Sequence, residues 1–519
     1  MGNITAQIKS VTDPESVARK KTEATFEDAV ELTGHGKFNN FVLLTCGLIL
    51  LNVSMESVGI SYVITAAECE LDLGSEHKGL LSASAFIGIV STSFLWGFLG
   101  DRYGRRAVMT PAMLASVAFS LASSFATNVW TILVLRILTG CLVSASSATV
   151  YAYLGEMHVK SRRAAAIAWG SAFISFSFII LPGLAWLIIP GEWSWQWGWM
   201  TIAPWRVFMW FWGLPALVAS AALLSLPESP RHVLATKGPD AALPILARMY
   251  AWNKGKTVDS FPVSKITAST TESCRSGFGE ALRNISLMVR PPLARCVLIS
   301  HVSMFAVFML SSGLYMWVPD ILNNILNSKS EQSITICQII HNKFKAAQNV
   351  THDAGYHYCR TDVSVGVFPI SMGMGAMFAI VYLAIGFFID KIGKKTLHCS
   401  ILIFCGAATI GAAFVPQGGL ATVLLVLSLC CGCAGSILAA IAVDVFPTCL
   451  RAMAMCLMYM VGRAGAAVGS NLLGATLDRH CQLAFTFLGI FTMCSTILML
   501  FWPAPEHVRR KMEEKGLSY

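Results

Sequence analysis

The fold of this chain is decided by two short stretches, GFLGDRYGRR (Gly97–Arg106) and GFFIDKIGKK (Gly386–Lys395). Each follows a long apolar run and combines an aspartate, a glycine and a basic cluster, and the stretches begin 289 residues apart. The glycines permit a tight turn between antiparallel helices. The aspartates can accept hydrogen bonds at a helix N-terminus, where the helix dipole favours an anion.

A second motif repeats at nearly the same distance. Glu156 is followed by Arg163 seven residues later, and Asp444 by Arg451 seven residues later, with 288 residues between the two copies. Two different motifs that recur at a common offset predict a duplicated chain, because this offset is too long for a solenoid repeat. Parallel halves of this kind place a substrate site at their interface, near the middle of the membrane.

The composition identifies the surrounding medium as lipid. Hydrophobic residues make up 55% of the 519 residues and charged residues only 13%, whereas soluble domains are about a quarter charged. We therefore predict an all-α polytopic membrane protein with twelve transmembrane helices in two pseudo-symmetric six-helix halves, in contact with the lipid bilayer. The apolar runs, each near the roughly 20 residues that cross a bilayer core, lie at about 41–66, 79–100, 107–127, 129–154, 164–189, 205–225, 293–318, 363–389, 396–415, 420–443, 452–475 and 482–502.

The basic residues give the orientation. With the N-terminus in the cytosol, the short cytosolic loops hold ten lysines and arginines, and the short exoplasmic loops hold three, Lys78, Arg206 and Arg479. Membrane proteins concentrate Lys and Arg on the cytosolic side, so both termini are predicted to be cytosolic. This topology accounts for the net charge of +9. No nucleic-acid partner is expected, because that would require a basic patch on a folded surface.

The spans and loops predict a division of the chain into five parts. These are a cytosolic N-terminal segment at 1–40, an N-terminal six-helix half at 41–225, a cytosolic linker at 226–290, a C-terminal six-helix half at 291–503 with an exoplasmic loop at 319–362, and a cytosolic tail at 504–519.

The exoplasmic loop carries two predicted modifications. Asn349-Val-Thr351 is a glycosylation acceptor on the side of the membrane where glycans are added. Cys337 and Cys359 share this oxidising loop, and a disulfide between them would close a loop of about 20 residues. Cys69, in the first exoplasmic loop, is a competing partner.

The repeated motifs lie on the cytosolic side, where we interpret them as a conformational latch that is made and broken as the halves rock. The alternative for each copy is a tight turn with positive-inside charge. The latch residues are Gly97, Asp101, Arg102, Gly104, Arg105, Arg106, Glu156, Arg163, Asp390, Lys391, Gly393, Lys394, Asp444 and Arg451.

Ionisable side chains inside the spans are costly and usually functional. Glu56 of span one and Arg136 of span four lie within about 5 Å of the same depth. We predict that they pair, either facing a cavity or as a structural ion pair of the N-terminal half. Trp186 is either a substrate platform or an anchor at the membrane interface. The candidates for a substrate or coupling cavity are Glu56, Asn52, Arg136, Trp186, Tyr315 and Arg463.

Several motifs resemble those of a known family. GFLGDRYGRR is similar to the signature loop of the major facilitators, and PESPR (Pro227–Arg231) is similar to that of sugar porters and organic-ion transporters. The resemblance implies the major-facilitator fold and transport by alternating access. More narrowly, the chain resembles the synaptic vesicle glycoprotein 2 family at Phe26–Glu31, Gly34–Phe38, Met55–Glu56, Ala185–Trp186, Ile188–Pro190, Trp317–Asp320 and Asp444–Thr448.

The chain also departs from that family. Its relatives carry an acidic residue where Val53 stands, and a Trp and an Asp in span ten where Gly435 and Ala439 stand. Aromatic positions before the span-seven motif are Ser311 and Ser312. The exoplasmic loop is also much shorter than the glycosylated domain of the synaptic vesicle proteins. The resemblance therefore supports the scaffold and does not extend to ligand selectivity.

The sequence favours a secondary-active or facilitative transporter of a small organic solute, in the plasma membrane or an intracellular vesicle membrane. Two alternatives stay open: transport coupled to a proton, and facilitative transport of a sugar or vitamin. The alternative is a transporter-like protein with a trafficking or receptor role. The absent span-ten acid would fit that role, whereas the paired latch motifs argue against it. We expect no enzyme activity, cofactor or metal, because the sequence has no nucleophile–base constellation, phosphate-binding loop or metal-ligand spacing.

Overall fold

The computed structural model describes residues 22–503 except 192, 199, 268–285, 329–333, 355–362 and 447, together with 506, 508 and 510. Within these residues the chain is almost entirely helical, and the predicted all-α polytopic fold is confirmed. In lipid, a helix satisfies its own backbone hydrogen bonds, which is why apolar runs of this length adopt it.

The N-terminal part of the protein is a bundle of long helices. They are α1 (Phe26–Thr33), α2 (Lys37–Val58), α3 (Ile60–Ala66), α4 (Ser75–Tyr103), α5 (Arg105–Ser124), α6 (Val129–Glu156), α7 (Lys160–Ile188), α8 (Pro204–Trp212) and α9 (Leu214–Ser225). An antiparallel pair of short strands, β2 (Trp195–Trp197) and β3 (Met200–Ile202), joins α7 to α8.

The C-terminal part follows a linker, predicted to be cytosolic, that contains two helices, α10 (Pro230–Lys237) and α11 (Pro239–Lys254). Its helices are α12 (Leu293–Tyr315), α13 (Val318–Leu326), α14 (Ile336–Ala354), α15 (Val367–Ile392), α16 (Lys394–Phe414), α17 (Gly418–Leu429), α18 (Ala434–Val445) and α19 (Thr448–Leu500). A short 3₁₀ turn, Cys430–Cys433, connects α17 to α18.

Eleven of the described helical segments are long and apolar enough to cross a membrane. The last, Met453–Leu500, has 48 residues, about twice the length that one crossing needs. Its backbone leaves helical geometry at His480, where φ is −132° and ψ is 39°. This segment therefore has the length and the break that spans eleven and twelve of the predicted set require.

The linker and the N-terminal segment form one cytosolic layer on the N-terminal half. Strand β1 (Thr22–Thr25) pairs in parallel with β4 (Val263–Thr267). Asn253, at the end of α11, accepts a hydrogen bond from the backbone N–H of Phe38 at 3.1 Å and donates one to Asn39 at 2.7 Å. Two segments about 200 residues apart in sequence are thereby fixed to the cytosolic end of α2.

The disulfide prediction for Cys337 is wrong. Cys337 is bonded to Cys481, with the two Cα atoms 5.4 Å apart, and Cys359 lies outside the described residues. The bond forms because α14 packs against the turn of α19 near His480, which brings together cysteines separated by 144 residues. Cys69 is disulfide-bonded as well. The bond from Cys337 to Cys481 attaches α14 to α19 of the C-terminal half.

Candidate functional site

The two halves meet closely at their exoplasmic ends. A Cβ atom placed on Gly474 of α19 would lie 2.8 Å from the Cα of Gly79 of α4, so only glycine permits this approach. An aromatic layer lies nearby. The hydroxyls of Tyr62 and Tyr315 are 3.5 Å apart across the interface, and the Tyr315 ring packs edge-on against Phe178 at 5.0 Å. These contacts seal the exoplasmic side.

A buried charge network reinforces the seal. Lys78 of the N-terminal half binds Asp320 of the C-terminal half at 2.9 Å and Glu68 of its own half at 3.0 Å. Lys343 of α14 binds Glu68 at 3.2 Å. Burial acts to raise the pKa of Asp320, but Lys78 and Lys343 outweigh it and hold that pKa below its ordinary value. We name Glu68, Lys78, Asp320 and Lys343 the exoplasmic gate.

The predicted cytosolic ends of α4 and α15 have open space beside them. A Cβ atom placed on Gly97, near the cytosolic end of α4, would meet no atom within 4 Å, and the same is true of Gly386 in α15. Gly79, on the same helix as Gly97, touches the other half. Along α4, therefore, the other half is in contact at Gly79, and there is open space beside Gly97.

Glu56 and Arg136 are brought together, as their depths predicted. Arg136 Nη1 lies 2.7 Å from Glu56 Oε2, and the side chains are 0% and 1% exposed. Arg136 also donates to the Glu56 backbone carbonyl. Ser120 donates to Glu56 at 3.1 Å and accepts from Trp212 at 2.9 Å. All these partners belong to α2, α5, α6 and α8, so the pair lies inside the N-terminal half.

Arg463 lies between the halves instead. Its Nη1 donates to the Ser147 hydroxyl of α6 at 3.0 Å, and it interacts electrostatically with Tyr151 and Tyr459. Sequence reasoning singled out Arg463 as an intramembrane charge, yet it could not place Ser147 opposite it.

The remaining cavity candidates are scattered. Tyr315 belongs to the exoplasmic aromatic layer. Asn52 is buried, and its side-chain oxygen has no hydrogen-bond partner among the described residues. Trp186 is 44% exposed and has no ring contact within the described part of the chain. That placement fits an anchor at the membrane interface better than a substrate platform.

The two cytosolic repeats form equivalent ion pairs. Arg105 binds Glu156 at 3.2 Å in the N-terminal half, and Lys394 binds Asp444 at 2.6 Å in the C-terminal half. Each pair joins a basic residue of the first motif to the acidic residue of the second motif. The duplication predicted from the offsets is therefore visible as repeated side-chain chemistry.

The other latch residues have local partners in this structure. Asp101 pairs with Arg105 at 2.8 Å, and the Arg163 side chain donates to the Gly155 carbonyl at 2.8 Å. Gly104 and Gly393 adopt φ values of 111° and 89°, which favour glycine at these turns. Arg102 lies over the Tyr103 ring and Lys391 over the Phe387 ring. The side chains of Asp390 and Arg451 lie outside the described residues.

Residues 43–340 and 355–517 match the sequence profile of the Major Facilitator Superfamily. The chain belongs to this superfamily. Synaptic vesicle glycoprotein 2A of Rattus norvegicus is 30% identical over 253 residues, which are 48% of this chain and 34% of that protein. Synaptic vesicle glycoprotein 2B of Mus musculus is 27% identical over 343 residues, 61% of this chain and 50% of that protein. The chain thus spans a third to a half of the length of these relatives.

Solved structures of other superfamily members share the fold at low identity. A partially occluded, inward-open structure of the xylose transporter XylE from E. coli has a TM-score of 0.64 at 15% identity, covering 90% of this chain and 100% of that one. An inward-facing bacterial homologue of the human lysosomal transporter Spinster has a TM-score of 0.60 at 14% identity, covering 90% and 96%. Both similarities support the fold alone.

Within this major-facilitator scaffold, sequence reasoning missed the role of Glu228. Its carboxylate accepts from the backbone N–H groups of Arg106 and Ala107, each at 3.1 Å. It therefore caps the N-terminus of α5, where Asp101 was a candidate acceptor. His232 lies 3.3 Å from Arg105; burial lowers its pKa, and Arg105 lowers it further. The PESPR motif could have identified Glu228 as a candidate, because it contains this glutamate.

Proposed function

We propose that this protein is a secondary-active or facilitative transporter that moves a small organic solute by alternating access. The observation that carries the proposal is the asymmetry of α4, which touches the other half at Gly79 and is free of it at Gly97. We interpret this asymmetry as an inward-open arrangement, which is one of the two end states that alternating access requires. The proposal includes two rocking halves at 41–225 and 291–503, with the linker attached to the first.

The exoplasmic gate supplies the moving contact. Lys78 belongs to one half and Asp320 to the other, so the ion pair between them must break when the exoplasmic side opens. The cytosolic latch pairs, in contrast, lie within their own halves in this structure. We therefore place the first barrier to outward opening at the gate.

We further propose that Glu56 and Arg136 act as a structural ion pair of the N-terminal half. The Glu56 carboxylate is already compensated by Arg136 and Ser120, which does not favour recognition of a cationic substrate. A coupled proton at Glu56 is the competing role. A buried ion pair tolerates loss of both charges far better than loss of one.

The transport proposal is tested by cross-linking the gate. The variant Lys78→Cys/Asp320→Cys is reconstituted into proteoliposomes and treated with a short bifunctional, reductant-cleavable thiol reagent. Uptake of solutes from a panel of sugars, vitamins, organic anions and organic cations is measured with and without a pH gradient. We expect cross-linking to stop uptake and reductant to restore it, while the two single-cysteine variants stay active. A wild type that moves no solute in the panel would favour a trafficking or receptor role.

A further inference from the structure

Arg463 is a charge in the middle of the membrane. It lies fifteen residues from Thr448, where α19 begins, and seventeen residues from the break at His480. At 1.5 Å per residue it is about 22 Å from one end of this span and about 25 Å from the other. At this depth, water reaches a side chain only through a cavity between the halves.

No carboxylate whose side chain the structure describes lies within ion-pair distance of Arg463. Its hydrogen bond to Ser147 uses one of five guanidinium N–H donors. No described residue accepts a hydrogen bond from the remaining donor atoms. An unpaired guanidinium at this depth is costly, so an external anion or water must compensate it.

The surroundings of Arg463 are hydroxyls and aromatic rings from both halves. Tyr151 of α6 accepts a hydrogen bond from Ser171 of α7 at 3.2 Å. Tyr459 lies one helical turn before Arg463 in α19, and its ring packs edge-on against Phe308 at 6.2 Å. Tyr382 of α15 interacts with both Tyr151 and Tyr459. The site therefore offers one positive charge beside an aromatic wall.

We infer that Arg463 binds the carboxylate or sulfonate of a small organic monoanion, whose apolar body packs against Tyr151, Tyr459 and Phe308. The inference rests on the proposed transport function and names its substrate class. A guanidinium forms two parallel hydrogen bonds with such a group. A dianionic phosphate would leave one charge unmatched, and an organic cation would meet repulsion from Arg463 with no described acid to offset it.

The experiment uses two permanently charged probes of similar size, benzenesulfonate and phenyltrimethylammonium, with xylose as a neutral solute. Binding to the purified full chain is followed by thermal stabilisation, and uptake is followed in proteoliposomes. The variants are Arg463→Gln, which removes the charge, and Arg463→Lys, which keeps the charge without the planar fork. Arg295→Gln is the matched control, because Arg295 is exposed at the cytosolic end of α12.

We expect benzenesulfonate, and not phenyltrimethylammonium, to stabilise the wild type and to be taken up. Arg463→Gln should weaken benzenesulfonate binding by roughly 10- to 100-fold, the range for a lost hydrogen-bonded charge. Arg463→Lys should lose less, and Arg295→Gln should behave as the wild type. If Arg463→Gln does not fold, the weaker binding of Arg463→Lys carries the test.

Two failures are distinguishable. Uptake of xylose or phenyltrimethylammonium without uptake or binding of benzenesulfonate would overturn the anion site and leave the transporter standing. Binding of benzenesulfonate that depends on Arg463, with no uptake of any probe, would leave the anion site standing and overturn transport. Equal benzenesulfonate binding by the wild type and Arg463→Gln would also overturn the site, since the anion would then bind elsewhere.

Discussion

Two intramembrane arginines of this protein have opposite environments. Arg136 is enclosed within the N-terminal half, where Glu56 neutralises it and Trp212 stacks against it at 5.0 Å. Arg463 lies between the halves, with a serine hydroxyl as its hydrogen-bond partner. The difference shows that a paired charge buried among helices that move together can stabilise the fold of that half. A charge between elements that move apart, with no acid beside it among the described residues, is available to a ligand.

The largest expected effect tests the enclosed arginine. Glu56→Gln leaves Arg136 buried and unpaired, so we expect a loss of about 3–5 kcal/mol of folding stability. The double variant Glu56→Gln/Arg136→Gln should recover most of this loss, because no charge is then left unpaired. Thermal unfolding of the purified protein measures stability, and proteoliposome uptake measures transport.

The exposed Glu76 provides a control, and Glu76→Gln should leave stability unchanged. The structural role is contradicted if Glu56→Gln folds normally while uptake is lost. Such a result would assign Glu56 to proton coupling. Full activity of the double variant, in contrast, would exclude that coupling role.

A second prediction asks whether a buried charge between the halves sets the conformation. Lys78→Gln leaves Asp320 and Glu68 without their shared cation, so the closed exoplasmic gate should weaken by about 1.5–3 kcal/mol. The outward-open population should rise. This rise is measured with a cysteine placed on the cytosolic side of the gate, by its reaction with an impermeant thiol reagent added from the exoplasmic side. Lys345→Gln, which removes an exposed lysine of α14 two residues from Lys343, should have no effect. Unchanged accessibility in Lys78→Gln would remove the gate from the mechanism.

The gate also has a defined response to pH. Lys78, Lys343 and Asp478 are the charged groups that act on Asp320, and its pKa is lowered in the closed state. Closure therefore holds fully above the ordinary pKa of aspartate, about 3.9, and is lost as pH falls through the lowered value. Asp320 should therefore stay ionised when the exoplasmic solution is acidified from pH 7 to about pH 5. The accessibility of the same reporter cysteine should not change over this range. Opening of the gate within that range, absent in Asp320→Asn, would contradict the assignment.

A smaller effect is expected at the cytosolic latch. Asp101 is 57% exposed beside Arg105, and exposed ion pairs contribute at most about 1 kcal/mol. Asp101→Asn should shift the balance of inward- and outward-open states slightly and leave expression intact. Asp444→Asn, in the second repeat, is the comparison. Identical accessibility in wild type and both variants would reduce the motifs to turns with positive-inside charge.

The smallest effect concerns the stability of the arginine between the halves. Arg463→Gln removes a charge and leaves no described acid without a partner. The free energy of unfolding of the ligand-free protein should therefore change by no more than about 0.5 kcal/mol. Thermal unfolding measured beside Glu56→Gln provides the contrast. A loss as large as that of Glu56→Gln would mean that Arg463 has a structural partner, and the two arginines would no longer differ.

The sequence by itself determined the class of protein and the internal duplication, and it predicts the orientation. Span length and loop charge are local properties, and the repeats around Asp101 and Asp390 lie within single stretches of chain. The pairing of Glu56 with Arg136 was also predictable, because both lie in apolar helices whose regular rise fixes their depth. Glycosylation at Asn349, within α14, stays a prediction.

The tertiary structure alone decided which groups from distant segments meet. Lys78 read as a loop charge until the packing of α4 against the C-terminal half placed it beside Asp320, 242 residues away. Helix packing likewise brings Cys337 beside Cys481. It also places Glu228 at the N-terminus of α5. Helical periodicity gives the depth and face of a residue, but which face meets which neighbour depends on how all the helices pack. That packing is why Arg136 lies beside an acid of its own half and Arg463 lies opposite a serine of the other half.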